Sequence, residues 1–124
     1  MHPHESAEDY LERILMLSKT LPVVRSVDIA NDMGYKKSSV SVAMKNLREA
    51  QHITVTDAGY IYLTESGKAI AERIFERHEV ISAWLTAMGV DEETATEDAC
   101  RVEHDLSDES FAAIKSFLKE HPVN

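Results

Sequence analysis

Apolar residues in this chain recur at the three- and four-residue spacing of amphipathic helices over most of its length, and give way once, near the middle, to β-branched and aromatic runs. Tyr10, Leu11, Ile14, Leu15 and Leu17 predict a first helix over 6–19 that ends before Leu21-Pro22. Ser26 is read as the N-cap of a short helix over 27–33, Gly34 as its stop, and 37–50 as a helix with Val40, Met44 and Leu47 on one face. Small Ala30, the turn at Gly34 and apolar Val40 have the order a helix-turn-helix needs. Ile53 to Thr56 and Tyr60 to Leu63 flank Asp57-Ala58-Gly59, which predicts a hairpin, and a hairpin directly after a recognition helix reads as a wing. A long helix over 64–88 places Ile70, Ile74, Ile81, Leu85 and Met88 on one stripe, with Gly89 past its end. Asp91 caps a fifth helix to about His104, and Ser107 caps a sixth with Phe111, Ile114, Phe117 and Leu118 inward. The fold class is therefore mainly α: a winged helix-turn-helix over 1–65, then a helical domain over 66–124.

Charge divides along the same line. Residues 1–68 hold 8 basic and 9 acidic side chains, a net of -1, whereas residues 69–124 hold 5 and 13, a net of -8. Within the first half, Tyr35 to Arg48 carries Lys36, Lys37, Lys45 and Arg48 and no acid, so a basic stretch for one partner accompanies an acidic half for another. No apolar run approaches the roughly 20 residues that span a bilayer, and the start lacks the basic and apolar regions of a secretory signal. A single cysteine, Cys100, permits no internal disulfide, and a cytoplasmic location is expected.

Two constellations carry chemistry. Lys36, Lys37, Ser38, Ser39 and Ser41 crowd the first turn of the second helix of the helix-turn-helix, with Lys45 and Arg48 further along. Serines of this kind reach bases or phosphates and the cations release counterions from double-stranded DNA. In the acidic half, Cys100, Glu103 and His104 share one helix face at about 100° per residue, so a thiolate, a carboxylate and an imidazole converge as metal donors. Asp9 and Glu12 face one way on the first helix as oxygen donors, and His78 lies on the stripe of Ile74 and Ile81, where an imidazole must be hydrogen-bonded or ligated. Packing of the first, fourth and fifth helices would gather these groups into a cluster that repels itself without a cation. His2 and His4 are expected at the surface rather than among the ligands.

With these motifs in view, the sequence resembles the diphtheria toxin repressor family, in its short two-domain manganese transport regulator branch. The resemblance rests on Glu8 to Glu12, the helix-turn-helix and Gly59-bearing wing, Leu63-Thr64 with Gly67-Lys68, Arg77-His78-Glu79, Gly89 to Asp91, and Glu103-His104 with Leu106-Ser107. It implies a homodimer that binds a palindromic operator when charged with Fe(II) or Mn(II) and controls metal-homeostasis genes. It also implies one site from Asp9, Glu12, His78 and Glu103, and a neighbouring one from Glu12, Cys100, Glu103 and His104. Cys100 stands where the manganese branch has a carboxylate and the iron branch a cysteine, while Asp9 replaces the iron branch's methionine. Thiolate favours Fe(II), with Co(II), Zn(II) or Ni(II) as surrogates, over Mn(II). Ser82 stands where the longer members have an acidic ligand, and no counterpart of their SH3-like third domain is expected. The competing reading is a winged-helix regulator answering to a small organic ligand or protein partner without metal. A metallohydrolase is set aside, because no general base or HExxH motif accompanies the donors; neither an enzyme, an organic substrate nor a membrane partner is expected.

Overall fold

The computed structural model describes residues 7–121, which leaves His2 and His4 outside the described residues. In order these form α1 (Ala7–Ser18), α2 (Ser26–Met33), α3 (Lys37–Glu49), β1 (Ile53–Val55), β2 (Ile61–Leu63), α4 (Glu65–Ala87), α5 (Glu92–Asp105) and α6 (Asp108–Glu120). The chain divides into two compact units, Met1–Arg73 and Ile74–Asn124.

In the first unit the apolar stripes of the three helices become one core: Leu11, Ile14, Ile29, Val40 and Leu47 are each at most 3% exposed. Gly34 ends α2 in the left-handed region at φ +72°, its N–H returning to Ala30 O, so α3 follows after a tight turn. The N-cap of α2 differs from expectation. Ser26 is already helical and Arg25 is the cap, because the Asp28 carboxylate reaches back to the Arg25 N–H at 2.9 Å. β1 and β2 pair antiparallel with Ile53 opposite Leu63 and Val55 opposite Ile61, and Gly59 supplies the turn at φ +86°. The segment before α2 holds the hairpin: Ile61 N–H donates to Val24 O at 2.8 Å, and the Arg25 guanidinium lies 4.9 Å over the Tyr60 ring.

This compact unit takes in the first turns of α4, because those turns are bonded into it. The Thr64 hydroxyl donates to Gln51 O at 2.8 Å, Ser66 Oγ lies 3.0 Å from His52 Nδ1, and Arg73 pairs with Glu8 at 2.7 Å. Gly67 is buried directly against the His52 carbonyl.

In the second unit Asp91 caps α5, accepting from the N–H groups of Glu93 and Thr94, and Ser107 caps α6 through Ser110 N–H. Ile74, Ile81, Ala95, Ala99 and Phe111 are buried. Phe117 departs from the inward-facing expectation at 53% exposure, and Met88, at the end of the α4 stripe, is 65% exposed. They edge a groove of about 580 Å³ between the end of α4 and α6, together with Trp84, Ile114, Leu118 and His121. The helical period placed them on the apolar stripe, but this part of the stripe faces outward.

Candidate metal centre and nucleic-acid face

Residues 100 and 103 are three apart on α5 and therefore share a face, and α4 brings His78 to it. His78 Nδ1 lies 3.0 Å from Glu103 Oε2 and 3.8 Å from Cys100 Sγ, so one carboxylate, one thiol and one imidazole lie within 4.8 Å of one another. Glu103 is 0% exposed, while His78 and Cys100 are half-buried. Its second oxygen, Oε1, is buried, makes no hydrogen bond among the described residues, and stands 3.4 Å from His104 Nε2. A carboxylate removed from water and left with one oxygen unbonded needs a cation nearby.

His78 supplies part of that charge. Its pKa is raised from 6.5 to about 10, first by the hydrogen bond to Cys100 and then by that to Glu103, against the opposing effect of burial. An imidazolium therefore bridges thiol and carboxylate, and a donor set of nitrogen, sulfur and oxygen suits a transition metal.

Arg77, which the sequence reading did not assign, holds this end of α5 in place. It is 3% exposed, donates to Glu103 O at 3.1 Å and to Leu106 O, pairs with Asp108, and lies 5.2 Å over the Phe111 ring. A cation on the apolar stripe between Ile74 and Ile81 was the signal for it.

Of the expected metal residues, the structure thus brings together His78, Cys100 and Glu103, with His104 beside Glu103. Asp9 and Glu12 belong to the other unit, on one face of α1, at 6% and 3% exposure. Two buried carboxylates at that spacing are unusual for a helix surface.

The expected DNA-reading residues all lie on or next to α3. Lys36 is its N-cap, and Lys37, Ser38, Ser39, Ser41, Lys45 and Arg48 are exposed, opposite the buried Val40, Met44 and Leu47. No acid occurs in the first turn of α3.

Two family models match the chain: residues 3–58 match the N-terminal DNA binding domain of iron dependent repressors, and residues 64–123 their metal binding and dimerisation domain. An uncharacterized HTH-type transcriptional regulator of Methanocaldococcus jannaschii is 35% identical over 118 residues, covering 94% of each chain. The HTH-type transcriptional regulator MntR of Bacillus subtilis is 35% identical over 114 residues, covering 92% of this chain and 80% of its own. Among solved structures, a manganese-dependent transcriptional repressor in complex with manganese superimposes with a TM-score of 0.85 at 26% identity over 92% of this chain. The chain spans about half of that structure, 53%.

Proposed function

Because the chain belongs to the iron-dependent, or diphtheria toxin, repressor family, we propose that it is a repressor whose operator binding is switched on by Fe(II) or Mn(II) held at His78, Cys100 and Glu103. The observation that carries this reading is the fully buried Glu103 carboxylate, with His78 on one oxygen and the other oxygen facing His104 without a hydrogen bond. A bound divalent cation would replace the positive charge that the His78 proton supplies and engage the oxygen left without a hydrogen bond. Glu103 is the central donor, His78 gives up its proton to become a nitrogen donor, and Cys100 contributes sulfur. Asp9 and Glu12 are proposed as oxygen donors, supported by their burial as carboxylates. The sulfur favours Fe(II), whereas solved relatives are named as manganese regulators.

Lys36, Lys37, Lys45 and Arg48 would meet phosphates, with Ser38, Ser39 and Ser41 at the first turn of α3 beside the bases. A second copy of the chain is proposed to cover the apolar groove of Trp84, Met88 and Phe117, giving the two-fold dimer that a palindromic operator requires. Sedimentation as a monomer at micromolar concentration would contradict that. No helix among the described residues is long and apolar enough to cross a membrane.

Cobalt(II) titration tests the donor set. Since His78 is protonated up to a pKa of about 10, its proton must leave when the nitrogen ligates, as must the proton of the Cys100 thiol when the sulfur ligates, so affinity is expected to rise by at least about tenfold per pH unit across neutrality. A sulfur-to-cobalt charge-transfer band is expected in the native chain and lost in Cys100→Ser. Without metal the sign reverses. A pKa above the unfolded value of 6.5 means that the His78 contacts stabilise the fold fully below pH 6.5 and lose that effect as pH rises through about 10. Affinity independent of pH, or an unchanged band in Cys100→Ser, would contradict the assignment.

A further inference from the structure

Val42 is 60% exposed, an apolar β-branched side chain on a helix whose other outward positions are polar. At about 100° per residue, the buried stripe of Val40, Met44 and Leu47 defines the inner side of α3, and Ser38, Val42, Lys45 and Glu49 lie opposite it. Val42 thus occupies the middle of the outermost line, one turn after Ser38 and one turn before Lys45. The two methyl groups of valine are held in essentially one rotamer on a helix, so this position presents a fixed apolar surface rather than a mobile one.

On the proposed reading, α3 lies in the major groove. There the edges of adenine, guanine and cytosine offer hydrogen-bonding atoms, and the C5-methyl of thymine is the one apolar group. A serine or lysine is indifferent to that methyl, and a valine can form no hydrogen bond to anything else on a base edge. We infer that Val42 is a specificity-determining residue that reads a thymine methyl in each half of the operator. This rests on the DNA-binding reading above and adds to it a base preference at one position.

The test uses DNA selected from a random-sequence duplex library by the full chain in Mn(II), at fixed salt. Each thymine of the selected duplex is then replaced in turn by deoxyuridine, which removes only the methyl. At one thymine per half-site the native chain is expected to lose about fourfold in affinity, the worth of one buried carbon group. Val42→Ala, at an exposed position, keeps the fold and is expected to bind with less than about twofold sensitivity at that same thymine, while Val42→Thr, which retains one methyl, stays intermediate. Enrichment of a sequence whose deoxyuridine forms all bind the native chain and Val42→Ala alike would overturn the inference and leave the repressor reading intact. Failure to enrich any sequence would overturn both.

Discussion

Glu103→Gln is expected to abolish metal-stimulated DNA binding while the protein stays folded. The substitution preserves shape in a position that is 0% exposed, so packing is maintained. It replaces one carboxylate oxygen by an amide nitrogen that donates rather than accepts, and it removes the charge that His78, 3.0 Å away, is paired with. Allosteric coupling between an effector and a second ligand typically amounts to roughly 5- to 150-fold in affinity, and the whole of that factor should disappear. Operator binding in saturating Mn(II) and in chelator should then coincide, with an unchanged far-ultraviolet circular dichroism spectrum. A variant that still responds fully to metal would show that the ion is held elsewhere.

The second large effect is on stability. A methyl group at Gly67 would stand 2.9 Å from the carbonyl carbon of His52 and closer still to its oxygen. Both are backbone atoms of the segment that joins α3 to the hairpin, and they cannot rotate away as a side chain end would. The same segment is fastened by the Thr64 and Ser66 hydroxyls and by Gln51 in the left-handed region at φ +65°. Gly67→Ala should therefore force the backbones apart at a cost of about 2–4 kcal/mol, at the upper end for added volume in a packed site. Urea denaturation followed by circular dichroism measures it. Gly89→Ala is the control, since nothing lies within 4 Å and only its φ of +100° opposes the change, which costs about 1 kcal/mol. A Gly67→Ala variant no less stable than the Gly89 control would show that the contact yields easily.

Much of this architecture is legible in the sequence because its signals are local. Gly34 and Gly59 sit where the backbone takes positive φ, and Asp91 and Ser107 make the caps their positions predict. The grouping of Cys100 with Glu103 follows from helical spacing alone, and His78 was marked by being polar on an apolar stripe. What escaped the sequence depends on partners distant in the chain. Gly67 matters because of His52, fifteen residues earlier, and Arg77 because of carbonyls at the end of α5. Phe117 and Met88 have the right period, but period does not tell whether a stripe turns toward the chain's own core or outward, as both do here. The N-cap of α2 moved by one residue because Asp28 serves the Arg25 N–H.

The central claim is that a divalent ion switches this chain between weak and strong operator binding. An anaerobic titration at fixed salt, with the duplex selected from the random library and with Fe(II), Mn(II) or chelator, tests it most directly. Binding strengthened by roughly 5- to 150-fold in metal is predicted, with Fe(II) effective at lower concentration than Mn(II) if the Cys100 sulfur governs selectivity. Equal binding in chelator and in both metals would contradict the account and leave a winged-helix regulator that answers to something other than metal.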